Sequence, residues 1–244
     1  MGNQIEQPQV SEYQAKPTEL ADFDHPLIVS LIQQKKWTNL SPREKIRQVY
    51  NFVRDDIKFG YNKIDKLPAS EVLRDGYGQC NTKATLFMAI LNALGVKNRI
   101  HGFTIDKALQ KGALKGIWYH LSPANILHSW VEVYLDGKWY NMEGIILDKP
   151  YLRALQKKFS QIKNSFCGYG IYTDCFENPP VDWDLNDTYI QHKGITQDLG
   201  RFNTPDDLYQ QHQQQLGPFK NWLYQNWIRF AMNKNVDKVR GNIF

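Results

Sequence analysis

Helical spacing of apolar residues dominates the first third of this 244-residue chain, alternation dominates the middle, and the last third is patterned only in patches. Pro26 opens a short helix through Leu27, Ile28, Val29, Leu31 and Ile32, with proline in the first turn, where its missing N–H is no loss. A second helix begins at Ser41-Pro42-Arg43-Glu44. Ser41 can cap it, Glu44 can reach back to the cap, and Ile46, Val49, Tyr50 and Val53 follow three and four apart. It is expected to end near Asp55, ahead of a short extended stretch at residues 57–59. Residues 69–73 read as one helical turn, stopped at Gly76-Tyr77-Gly78. From Cys80, the positions Ala84, Phe87, Met88, Leu91 and Leu94 predict a buried helix of about four turns. Gly95 is placed to end it in the left-handed conformation.

Residues 96–105 and 128–135 read as strands, Asp136-Gly137 is a strong two-residue turn, and residues 138–143 return as the partner strand. After Pro150 the signal weakens: a helix over 151–163, loops over 164–205, a short polar helix over 206–215 and a final amphipathic helix over 219–240. The division that follows is an N-terminal arm (1–25), a core (26–150) and a loop-rich, helical C-terminal elaboration packed on that core (151–244).

The hydrophobic content of 42% supports a real core, and a net charge of +5 is too small and too dispersed to point to nucleic acid. Three cysteines are too few for a disulfide framework. The opening MGNQIEQPQV lacks a basic region followed by an apolar stretch, and no apolar run reaches membrane-spanning length, so a soluble, cytoplasmic protein is expected. No closely spaced acidic set suits calcium and no cysteine–histidine cluster has zinc-ligand spacing, so neither metal nor cofactor is implied.

The chemistry starts at Cys80. At the start of its helix, unpaired backbone N–H groups and the helix dipole favour a thiolate, and the same N–H groups can hold an oxyanion on an attacked carbonyl. Gly78, just before it, is expected to leave room for a substrate's approach. A helical cysteine is more often a small packing group, so Cys80 needs a base to take its proton and an acceptor to orient that base. Cys167 and Cys175, in the loop-rich part, have no comparable setting.

The hairpin supplies both partners on paper. With a two-residue turn at Asp136-Gly137, Leu135 faces Lys138, Tyr134 faces Trp139 and, counting on, Trp130 faces Glu143. His128 then shares a face with Trp130 and becomes a diagonal neighbour of Glu143. A three-residue loop would separate the two onto opposite faces. Glu132, on the same face by parity, is the competing acceptor. His101, His120, His192 and His212 lack a second supporting feature and read as structural or surface residues.

Together these residues resemble the transglutaminase-like superfamily, whose papain-like sites use Cys-His-Asp. Gly78-Gln79-Cys80 with Ala84, Leu86, Leu91, Leu94-Gly95-Val96 and Arg99 is similar to its cysteine-helix motif. HSWVEVYLDGKWYNME, residues 128–143, is similar to its histidine- and acid-strand motif, and the resemblance covers roughly residues 44–148. It implies an α+β, cysteine-protease-like fold, with the cysteine helix packed on an antiparallel sheet. The helical C-terminal extension looks like those of bacterial relatives. The resemblance also implies Cys80 as nucleophile, His128 as general base and then acid, and Glu143 as the orienting acid where the family usually has Asp.

The implied activity is attack on an amide or acyl bond through a Cys80 acyl-enzyme. Hydrolysis, as in a peptidase or amidase, is favoured over cross-linking, and the partner would be a protein, peptide or small amide substrate. The alternative is a non-catalytic binding module on the same fold. Gln79 and Tyr77 beside the cysteine, and Trp118 and Tyr119 in the connection before His128, are the candidates for substrate contact. The last helix mixes Trp222, Trp227, Phe230 and Met232 with Lys220, Arg229, Lys234, Lys238 and Arg240. It is expected to bury its aromatic stripe on its own domain rather than to dock on a membrane.

Overall fold

Apolar residues surround the helix that begins at Cys80, and every residue from Asn81 to Asn92 is buried. A helix buried on every side belongs inside a core, and the rest of the molecule is arranged about it. The structure is a computed structural model and describes residues 13–114, 116–214 and 217–241. The first twelve residues of the expected arm lie outside the described residues; those that follow run over the surface and tuck Leu20 and Ala21 into the core.

In chain order, α1 (Pro26–Lys35) and α2 (Pro42–Asn51) lead through a π-helical turn (Phe52–Asp56) to β1 (Lys58–Phe59). Then come α3 (Ala69–Asp75), β2 (Tyr77–Gly78), the cysteine helix α4 (Cys80–Ala93) and β3 (Asn98–Asp106). A short α5 (Ile117–Leu121) precedes the hairpin of β4 (Asn125–Leu135) and β5 (Lys138–Asn141). The remainder holds α6 (Lys149–Lys158), β6 (Phe166–Gly168), β7 (Ile171–Thr173), β8 (Ile195–Phe202), α7 (Pro205–Gln211), α8 (Pro218–Leu223) and α9 (Arg229–Arg240). Ser41 caps α2 by accepting from the Glu44 N–H at 3.4 Å, but the Glu44 carboxylate turns to Arg47 instead of closing the box.

The fold is α+β, with an antiparallel sheet in the order β5-β4-β3-β8. Asp136 and Gly137 have φ of 49° and 83°, the mirror-image turn that matches strand twist, so Leu135 pairs with Lys138 and Tyr134 with Trp139 as expected. The partner strand is shorter than its pattern predicts: pairing stops at Glu132–Asn141, and Glu143 begins a 3-10 turn. Alternate residues Leu127, Val131 and Val133 join the core that holds α4. The Lys83 ammonium, wholly buried on α4, donates to the carbonyls of Arg54, Ile57 and Ile146 at 2.7–3.1 Å, tying the cysteine helix to the segment just after Glu143.

Two findings correct the C-terminal expectations. Residues 195–202, expected as loop, form β8 and extend the main sheet beside β3. The strand escapes pattern reading because it is a polar edge strand, with bulges at Gly102/Phe103 and Thr104/Ile105 and a left-handed Gly200. The last helix buries Met232 and Val236 but leaves Phe219, Trp222, Trp227 and Phe230 more than half exposed. It is anchored mainly by polar contacts: Asn233 bonds both the N–H and the carbonyl of Tyr61, and Arg240 reaches the Phe59 carbonyl and the buried Asp148 carboxylate. Among the described residues, no helix is long and apolar enough to cross a membrane.

Candidate active site

Gln79, in extended conformation, is the cap residue that sets Cys80 at the first position of α4. Its side chain accepts from the Asn62 N–H at 2.8 Å and donates to Asp65 at 3.0 Å, while its own N–H donates to the Thr82 hydroxyl at 3.1 Å. The loop after β1 therefore clamps the start of the helix. The first full helical bond runs from the Lys83 N–H to the Gln79 carbonyl at 2.9 Å, so the N–H groups of Cys80 and Asn81 are not consumed by the helix. Gly78 serves a different purpose from the one expected. A Cβ there would meet Thr82 Oγ1 at 2.6 Å and Lys83 Cγ at 3.0 Å, so it lets the chain pass the helix's own first turn.

His128 and Glu143 meet, with His128 Nε2 2.9 Å from Glu143 Oε1 and neither residue exposed. Glu143 reaches the imidazole from the 3-10 turn after the strand. Its other oxygen accepts three successive backbone N–H groups, from Ile190 at 2.7 Å, Gln191 at 2.9 Å and His192 at 3.0 Å. Such a nest fixes a carboxylate by backbone alone. Burial pushes the Glu143 carboxyl upward, but His128 and the N–H groups outweigh it and hold it below its ordinary value. The rival acceptor Glu132 is committed elsewhere, to Arg99, His101 at 2.8 Å and Arg201 at 3.0 Å.

With Nε2 occupied by Glu143, His128 Nδ1 is buried without a conventional hydrogen-bond partner and is the nitrogen left for Cys80. Burial lowers the imidazole pKa, but the charge and hydrogen bonding of Cys80, then Glu143, raise it to about 9. A raised histidine contributes its pairing energy fully below its unfolded value of 6.5 and loses it as pH climbs towards 9. The protonated imidazole is therefore favoured to a higher pH than in an ordinary histidine. In an imidazole nitrogen NMR titration, His128 should titrate near 9 and drop when Cys80→Ala removes the largest upward contribution. A titration in the ordinary histidine range, unmoved by that substitution, would count against the coupling.

Cys80 is partly exposed in a cavity of about 360 Å³ between the sheet's end and the C-terminal helix. Gln79 and Trp118 line it, although the Gln79 amide is already engaged; Tyr77 and Tyr119 are not among its lining residues. Tyr77 instead pairs with Lys58 and packs on Gly60, and Tyr119 lies under the Lys107 ammonium. Two further lining residues carry no signature in the sequence. The Gln191 side-chain oxygen is buried without a partner, and the Tyr209 hydroxyl, near Ser129, is buried without a formed hydrogen bond. The other thiols, Cys167 and Cys175, are exposed and unpaired.

Residues 30–144, a span that contains all three of Cys80, His128 and Glu143, match the model of the transglutaminase-like superfamily. No curated protein matches the chain. A solved structure from Cytophaga hutchinsonii, described as "a Putative Cysteine Protease", is similar with a TM-score of 0.42 and 12% identity. The alignment covers 79% of this chain and 46% of that one, so the chain spans less than half of that protein's length, and a likeness this loose carries no argument.

Proposed function

With residues 30–144 forming a transglutaminase-like core as the premise, we propose that the protein is a thiol enzyme that forms an acyl-enzyme on Cys80 at an amide or acyl bond. The observation that carries this reading is the continuous line from the 190–192 nest, through Glu143, to a His128 ring whose second nitrogen is left for Cys80. A buried imidazole oriented by a fixed acceptor, with its second nitrogen unpartnered, supports a nucleophile–base–acceptor site.

Cys80 Sγ attacks the carbonyl carbon. A C–S bond forms, and the displaced electron pair on oxygen is held by the N–H groups of Cys80 and Asn81. As the C–N bond breaks, His128 passes its proton to the leaving amine. Water then enters, His128 takes its proton, and collapse of the second tetrahedral intermediate breaks the C–S bond and releases the acid. Water is the proposed acceptor; an amine in its place would give transfer by the same intermediate. The substrate is a protein, peptide or small amide, and the three unpaired cysteines support a cytoplasmic setting.

A panel of amides, peptides and acyl thioesters, quenched in acid and read by intact mass, should give an acyl adduct on the protein. Turnover should fall at least about a thousandfold in Cys80→Ala. Turnover and adduct that survive the substitution would refute the reading.

A further inference from the structure

Phe219, Trp222, Trp227 and Phe230 are the most exposed large apolar side chains among the described residues, each more than half open to solvent, and they share one helical segment. At about 100° per residue, Phe219, Trp222 and Phe230 fall within about a quarter-turn of one another. The wider π-helical turn Tyr224–Ile228 delays the rotation and brings Trp227 onto the same line. The Phe219 and Trp222 rings lie side by side, with centroids 6.5 Å apart. Tyr224, Ile228, Met232 and Val236 take the opposite face and pack inward. Asn233 bonds Tyr61, Asn235 donates to the Ala113 carbonyl at 3.0 Å and Arg240 bonds Asp148, so the aromatic line is held outward.

The same line continues into positive charge. Lys234 and Lys238, one and two turns beyond Phe230, are exposed and make no ion pair among the described residues. The Arg229 guanidinium lies 4.0 Å from the Phe230 ring centroid. Asp237 is the only acid in residues 218–240, and Arg240 engages it at 3.1 Å. Rings beside cations, on a helix whose other face is anchored, suit binding in the plane of a bilayer: the rings enter the headgroup boundary while the ammonium groups meet lipid anions. Among the described residues no helix is long and apolar enough to cross a membrane, so the contact is with its surface. A second copy of the chain carries the same net charge of +5 and is repelled, whereas an anionic bilayer has the opposite sign.

We infer that this face docks the protein on an anionic lipid surface, with Phe219, Trp222, Trp227 and Phe230 in the headgroup boundary and Lys234 and Lys238 against the lipid charge. Tyr224, Ile228 and Met232, on the inward side of the same helix, line the Cys80 cleft, so docking sets that cleft about one helix diameter, about 10 Å, from the bilayer. Docking draws on the surface alone and does not depend on the chemistry at Cys80.

The full-length protein is sedimented with vesicles of equal parts phosphatidylcholine and phosphatidylserine, and with vesicles of phosphatidylcholine alone. It should pellet far more with the first, and that difference should vanish at about 1 M salt, where charges are screened beyond about 3 Å. Replacing both exposed tryptophans, Trp222→Gln with Trp227→Gln, should nearly keep the native urea midpoint and lower the partition coefficient at least about tenfold. Lys234→Gln and Lys238→Gln should each lower it about fivefold on the phosphatidylserine vesicles. Cys80→Ala should bind as the native protein does, so failure of the thiol-enzyme reading would leave docking intact. Native binding by the double tryptophan variant, or no preference for phosphatidylserine, overturns the inference. A native chain that is dimeric in solution and monomeric in the double variant assigns the face to a second copy and overturns it as well.

Discussion

Glu143→Ala is expected to destabilise the protein by about 3–5 kcal/mol, the usual cost of breaking a buried charged pair from one side, and to slow Cys80 chemistry as well. The carboxylate is wholly buried and holds four donors, the His128 imidazole and the N–H groups of Ile190, Gln191 and His192. Alanine leaves all four without an acceptor in a site that water does not reach. The loss should appear as a lower urea midpoint and as faster amide exchange at residues 190–192. Glu143→Gln separates the two effects. It keeps one oxygen acceptor but turns an NH₂ towards either the imidazole or the nest, so part of the stability returns while His128 loses its orienting charge. Because the native carboxyl lies below its ordinary value, its contribution is present above the unfolded carboxylate range and is withdrawn as pH falls. An unfolding midpoint that does not change in Glu143→Ala would mean that the nest is not formed in solution.

His128→Ala should slow alkylation of Cys80 at about pH 6 by about a hundredfold. Alanine takes away the base assigned to the Cys80 proton, so the thiol falls back to the reactivity of an unassisted cysteine. The imidazole also lies beside Phe103 and Trp130, with ring centroids 6.2 and 5.9 Å away, and it satisfies Glu143, so alanine is destabilising too. His128→Gln can still donate to Glu143 but cannot act as a base. It should show the same loss of rate with a smaller loss of stability, and equal labelling rates in all three proteins would contradict the assigned coupling.

What could be read in advance depended on whether side chains carried the information. The Asp136-Gly137 turn favours a two-residue connection, and the pairs Leu135–Lys138 and Tyr134–Trp139 follow from it, but the register ends at Glu132–Asn141 and Glu143 meets His128 from the turn beyond. The cysteine helix was legible because its core positions and Gly95 all agree. The support of Glu143 was not legible, since three backbone N–H groups more than forty residues away have no side-chain signature. His192, read as structural, belongs to that nest through its backbone.

The same limit hid β8, whose polar residues pair at a sheet edge. In the last helix the aromatic residues drew attention, but the face turned inward is Tyr224, Ile228, Met232 and Val236, spaced by four. Polar anchors at Asn233 and Arg240 fix that choice, which leaves the larger aromatics Trp222 and Trp227 outside.

The most direct test of the central claim lies in the protein's own three thiols. Cys167 and Cys175 are exposed, Cys80 is only partly so, and burial raises the pKa of Cys167 further. Limiting iodoacetamide at about pH 6, followed by peptide mapping, should label Cys80 first and much faster than glutathione, although it is the least accessible of the three. Labelling ordered by exposure, with Cys167 or Cys175 first and Cys80 no faster than glutathione, would contradict a Cys80–His128–Glu143 nucleophilic site.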